Sequence, residues 1–185
     1  MEASGSELDK IHYLTLSMKL PAEGIDAAYP DEAACLARLR EVRWPGGEVC
    51  PRCEHRGSVP LGERGTHQCE KCRHQFSLTS STVLHKSRIG IRAWFRATEL
   101  IIQHRARDGV DFDITTHQLR EKMGWSYAGA YRVRGLIVGD IRRGGTGLLR
   151  ACVCGGALEL PPDIARNSFD HLGWLLEMKW AKLLS

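Results

Sequence analysis

Cys50-Pro51-Arg52-Cys53 is followed, after fifteen residues, by Cys69-Glu70-Lys71-Cys72. These two short runs decide what the chain folds around. Zn²⁺ takes four soft ligands at tetrahedral corners, about 2.3 Å from each sulfur, and paired C-x2-C knuckles at this separation supply them. The residues between the pairs must turn back so that the knuckles face each other. Gly57, Pro60, Gly62 and Gly65 provide turns on that path. After the second pair, His74-Gln75-Phe76-Ser77-Leu78-Thr79 alternates polar and apolar, as a strand does. The spacing predicts a ribbon over about residues 49–81 that holds one structural zinc ion on Cys50, Cys53, Cys69 and Cys72. Four protein ligands leave no open coordination position, so the metal reads as structural and not catalytic. Four thiolates and one Zn²⁺ carry a net charge of about −2, which Arg52, Lys71 and Arg73 can offset. His55, His67 and His74 lie close enough in sequence to be alternative ligands.

Outward from the ribbon, the pattern turns helical. Upstream, Pro30-Asp31 opens a helix with Ala33, Ala34, Leu36, Leu39 and Val42 at helical spacing, and Trp44-Pro45-Gly46-Gly47 breaks it. Downstream, Ile91, Trp94, Phe95, Thr98, Ile101 and Ile102 form one face of a helix over about residues 91–107. A charged loop, Arg105 to Asp113, follows. A short helix from Thr116 then ends at Gly124, and Ser126 caps another that runs to Ile141. Two helices joined by a short Gly-containing turn form a helix-turn-helix arrangement, whose second helix meets base edges with its first turns. Tyr127, Ala128, Gly129, Tyr131, Arg132 and Arg134 are the candidates there. On this stretch alone, a helical hairpin that packs and binds nothing is the commoner reading.

The expected fold class is mainly α with a small β zinc ribbon: a rubredoxin-like two-knuckle ribbon followed by a helix-turn-helix helical domain. The expected organisation is an acidic arm over 1–29, a lead helix plus ribbon over 30–82, a helical domain over 88–143, and a linker with a C-terminal amphipathic helix over 144–185. The arm carries a short apolar patch, Ile11 to Leu20, ended by Pro21. In the last segment Asn167 or Ser168 caps a helix with Phe169, Leu172, Leu176, Trp180 and Leu183 on one stripe. Its simplest role is to pack back on the chain; a homodimer or protein partner is the second reading. Of the remaining cysteines, Cys35 reads as a buried helix residue. Cys152-Val153-Cys154 resembles half a knuckle without a partner, most simply two reduced thiols at a turn.

Composition narrows the function classes. The chain has 185 residues, 43% of them hydrophobic and 26% charged, enough to bury a core. No apolar run approaches the roughly 20 residues of a membrane span, and the acidic start does not read as a secretory signal. The expectation is a cytoplasmic, bacterial, nucleoid-associated protein with no membrane partner. Net charge is +4, but it is unevenly spread: −5 over residues 1–35, +10 over 36–150 and −1 over 151–185. A basic middle suggests a polyanionic partner, and on charge alone a solvated, Arg-rich surface is an equal reading.

Three stretches together resemble the N-terminal module of zinc-ribbon insertion-sequence transposases. The first is Tyr29-Pro30, Ala34-Cys35-Leu36, Leu39 and Arg43-Trp44-Pro45-Gly46-Gly47, running into the first knuckle. The second runs from Cys69 through Gln75-Phe76-Ser77 and Thr79 to Thr82-Val83. The third is Gln118-Leu119, Met123-Gly124, Ser126-Tyr127 and Ala130-Tyr131-Arg132. The resemblance spans about residues 24–140. It implies a module that binds the double-stranded DNA ends of an element, with strand transfer done by a separate DDE-type domain. Glu159, Asp163, Asp170 and Glu177 are too closely spaced to be that domain's carboxylates, so no catalytic residue is assigned and the chain is not read as an enzyme. The sequence departs from the family at Arg120, where a small residue is usual, and at Ala128 and Gly129, where polar residues are usual.

The expectation is a zinc-containing DNA-binding protein without its own catalytic domain, acting in transposition or transcription regulation. Arg88, Arg92, Arg96, Ser126, Tyr127, Tyr131, Arg132 and Arg134 are the expected DNA contacts. A zinc-ribbon interaction adaptor and a non-catalytic subunit of a split transposase are the alternatives.

Overall fold

The computed structural model describes residues 4–62, 65–107 and 113–184, the last three by backbone alone. About half of the chain is helical. In order the elements are α1 (Gly5–Met18), α2 (Ile25–Ala28), α3 (Glu32–Arg43), β1 (Ser58–Leu61), β2 (Thr66–Cys69), β3 (Gln75–Ser77), α4 (Ile91–Arg105), α5 (Thr116–Met123), α6 (Tyr127–Ile141), α7 (Leu148–Val153) and α8 (Phe169–Leu184). The strands form one antiparallel sheet in the order β1-β2-β3.

α4 is the hub, touching α1, α2, α3, α5, α6 and α7. Every member of its predicted stripe, from Ile91 to Ile102, is buried. Thr98 on that stripe is satisfied, its hydroxyl donating to the Trp94 carbonyl at 2.8 Å. The N-terminal segment read as an arm is instead the helix α1. Ser4 and Glu7 form a capping box at its start, and Ile11, Tyr13, Leu14 and Leu16 are buried. Two other helices differ from their sequence reading in phase. α3 buries Cys35 and Leu39, while Leu36 stays exposed. α8 turns His171 and Leu175 inward, with Ser168 buried just before it, leaving Phe169 and Trp180 of the expected stripe exposed. The side chain of Leu183, and residues 108–112 of the expected charged loop, lie outside what the structure describes.

Acidic side chains hold helix ends together across the chain, because the first N–H groups of a helix have no partner within it. Glu32 accepts from the N–H groups of Ile91 (2.5 Å) and Arg92 (3.1 Å) at the start of α4. Asp140, 3% exposed on α6, accepts from Leu148 (3.1 Å) and Leu149 (2.8 Å) at the start of α7, and from the Thr146 hydroxyl. The far end of α7 is held by Arg38, which donates to the carbonyls of Ala151 (3.0 Å) and Cys152 (3.1 Å). Cys152 is thus locked inside the core, and burial pushes its thiol up to about 12. Burial does the same to Cys154. Neither belongs to a metal cluster among the described residues.

The α5–α6 junction follows its sequence signals. Thr115 and Gln118 form a capping box for α5, which ends at Gly124 with φ 68°, the left-handed region glycine favours. Ser126 then accepts from the Gly129 N–H at 3.1 Å and starts α6. Further along α6, a Cβ added at Gly135 would meet nothing within 4 Å. Gly135→Ala should therefore stabilise the protein by about 0.5–1 kcal/mol, seen as a melting temperature about 1–4 °C higher. A lower melting temperature would mean that the α6 backbone is not regular there.

Candidate metal centre and nucleic-acid interface

The two knuckles are built alike. In the first, the Cys50 N–H donates to the His55 carbonyl (3.0 Å) and the Glu54 N–H to the Cys50 carbonyl (2.9 Å). In the second, the Cys69 N–H donates to the His74 carbonyl (2.9 Å) and the Arg73 N–H to the Cys69 carbonyl (3.0 Å). Glu54 and Arg73, at matching places, both take positive φ, 59° and 60°. The sequence signal for this was a C-x2-C-x-H repeat, Cys50 to His55 and Cys69 to His74, which the spacing analysis did not use. His55 and His74 therefore serve through their carbonyls. His67 stacks on Phe76, with ring centroids 5.8 Å apart.

β2 and its hairpin bring the knuckles together. Sγ atoms lie 3.6 Å apart for Cys50 and Cys72, 3.6 Å for Cys53 and Cys69, and 3.3 Å for Cys53 and Cys72. All four sulfurs fall within 4.8 Å of one another. A tetrahedron with about 2.3 Å zinc–sulfur bonds has edges of about 3.8 Å, so the four cysteines fit one zinc ion with small adjustments. The backbone helps to hold thiolate: N–H groups of Cys72 and Lys71 point at the Cys69 sulfur and bring it down to about 6. Cys50 and Cys69 are fully buried. Zinc there would hold the hairpin closed.

The ribbon is fastened to the helices by Trp44, which is 5% exposed. Its ring meets His67 and Phe76 edge-on at 5.7 and 5.9 Å. Arg43 lies over the same ring at 5.1 Å, and its guanidinium also binds the carbonyls of Ser77 (3.1 Å), Leu78 and Ser80. Thus the end of α3 grips the end of β3, and the lead helix and ribbon form one unit.

Residues 30–75 match the transposase zinc-ribbon domain family. An uncharacterized protein in transposable element ISH50 of Halobacterium salinarum is 27% identical over 97 residues, which cover 51% of this chain and 30% of that protein. The match thus spans under a third of that relative's length. No solved structure matches the chain. The matched zinc-ribbon domain is a metal-binding unit and not a catalytic one, and the protein is transposase-related. Among the described residues no helix is long and apolar enough to cross a membrane.

Beyond the zinc ribbon, the structure sorts the candidate DNA contacts into three groups. Arg88 and Arg132 come together in a groove of about 730 Å³ between residues 82–89 and α6, with His85 and Lys86 on the same walls. Tyr127 and Tyr131 stand 57% and 66% exposed on α6. Ser126 serves as the cap of that helix. The other arginines have protein partners. Arg92 and Arg96 both pair with Asp26, at 3.0 and 3.2 Å. Arg134 binds Asp113 and the Ile114 carbonyl, both at 2.6 Å. Asp113 also takes Arg105, whose Nη1 donates to the Tyr13 hydroxyl at 2.9 Å. This network ties α1, α4 and α6 to residues 113–114, so Arg134 has a structural task on its own helix.

Proposed function

We propose that the chain is a DNA-binding part of a transposition system, in which the zinc ribbon is a rigid support and α5–α6 is a helix-turn-helix that lies on duplex DNA. The observation that carries this reading is the meeting of Arg88 and Arg132 in one groove beside the exposed face of α6. Guanidinium groups that, like these, have no carboxylate partner among the described residues bind phosphate oxygens readily, and exposed tyrosines stand on the same helix as Arg132. α6 offers few base-reading side chains next to these, since Ala128, Gly135 and Gly139 share its exposed face. Affinity should come chiefly from phosphates. Strand transfer is left to a catalytic domain outside the residues matched here. The exposed Phe169 and Trp180 on α8 favour, as a second reading, a protein partner that brings that domain.

Arg88→Gln and Arg132→Gln should each weaken binding to any duplex about three- to tenfold and lower the salt slope by about 1. Arg134→Gln should instead lower the melting temperature, because it leaves Asp113 with one cation fewer. Fluorescence anisotropy on a generic duplex, with melting curves for all three, separates the outcomes. Unchanged affinity in the Arg88→Gln/Arg132→Gln double variant would remove the groove from the interface.

A further inference from the structure

A second cavity lies away from the ribbon and the α6 groove. It has about 310 Å³ of space between α1, Arg143, residues 158–167 and the first turns of α8. Lys19, Arg143 and Arg166 line it, and among the described residues no Asp or Glu does. The acid contact at its edge is weak: Asp9 lies 3.9 Å from Arg143, with both side chains about half exposed. Glu159 stands between two lining leucines but is itself exposed and not on the wall.

The remaining polar groups also suit an anion. His171 Nδ1 accepts from the Asn167 N–H at 3.2 Å, so the ring proton sits on Nε2 as a donor. The Thr15 hydroxyl is buried without a hydrogen-bond partner, a rare condition for a native side chain. Burial, and then Arg166, holds His171 below its usual value. Burial also lowers His12, with Arg150 and Arg143 adding to the lowering and the Ile141 carbonyl and Asp9 opposing it. Leu8, Ile11, Leu158, Leu160 and Trp174 also line the wall, so the site offers apolar surface as well as cations. A half-enclosed chamber of this size fits a compact ligand better than a DNA backbone, which needs an open track.

We propose that this cavity binds a small phosphate ester with an apolar body, its phosphate on Lys19, Arg143 and Arg166 and the Thr15 hydroxyl, and its body against Trp174. The proposal is independent of the DNA-binding reading. It is tested on the full zinc-loaded chain by titrating inorganic phosphate and phenyl phosphate and following backbone amide NMR shifts of Thr15, Asn167 and His171. Saturable shifts are expected for phenyl phosphate with Kd below about 1 mM, about tenfold tighter than for inorganic phosphate. Lys19→Gln/Arg166→Gln should weaken phenyl phosphate at least tenfold. Thr15→Val, which removes only a hydroxyl that has no partner, should weaken it severalfold and leave the melting temperature unchanged or higher. Shifts that do not saturate, or that persist unchanged in both variants, would overturn the proposal. So would variants that weaken duplex binding while leaving phenyl phosphate binding as it was, since the cavity would then be a contact for DNA phosphates.

Discussion

Removing zinc, or replacing Cys50 and Cys69 with Ser, should unfold the ribbon and leave most of the helices in place. The ribbon has little else to hold it: its strands are three or four residues long. Metal binding supplies on the order of 10 kcal/mol in isolated zinc-finger peptides, far more than a hairpin of this size gains from its own side chains. Without the metal, four thiolates or thiols crowd together and the hairpin opens. Trp44 reports the event, because its buried ring lies against His67 and Phe76 on the ribbon. Chelation should expose it and red-shift its emission, and the change should vanish in Trp44→Phe. Far-UV circular dichroism should lose only a minor part of its helical signal, since α4 packs mainly on other helices. A Cys50→Ser/Cys69→Ser variant that melted like the parent and carried as much zinc would overturn the metal assignment.

The second large effect is expected at Asp140, which no sequence motif marks. Its carboxylate accepts from two α7 N–H groups and the Thr146 hydroxyl, in a site almost closed to water. Asp140→Ala would leave two buried donors unpaired, at about 1–3 kcal/mol each, and remove charge-assisted bonds. The expected loss is about 3–5 kcal/mol, or a melting temperature lower by roughly 10 °C. Asp140→Asn keeps one carbonyl oxygen and should recover about half of it. The neighbourhood is intolerant for another reason: a Cβ on Gly145 would run into the carbonyls of Gly139 and Asp140. A thermal melt of Asp140→Ala within 1 °C of the parent would mean that α7 does not depend on this cap.

Local signals gave most of what the sequence could tell. The knuckles, the α4 face, Gly124 and Ser126 depend on residues within a few positions of one another, and the fold uses all of them as read. The phase of α3 and α8 was not legible in the same way. Leu36 and Leu39 both belong to helical patterns, and only the docking of α3 on α4 and α7 selects the face with Cys35 and Leu39. On α8, the stripe from Phe169 to Trp180 is the more apolar one in sequence, yet packing against α1 selects the face with His171 and Leu175. The roles of Glu32, Arg38 and Asp140 were invisible because their partners lie 59, 114 and 9 residues away. The same holds for Arg134, whose partner Asp113 lies before α5, 21 residues upstream.

The central claim is that the basic groove and α6 of the zinc-loaded protein bind duplex DNA through phosphates. A salt titration of binding to a generic duplex, followed by fluorescence anisotropy, tests it most directly. The account predicts a linear fall of log affinity with log salt, with a slope equivalent to several released counterions, and a shallower line in the Arg88→Gln/Arg132→Gln double variant. No binding at low salt, or binding with a slope near zero, would contradict it.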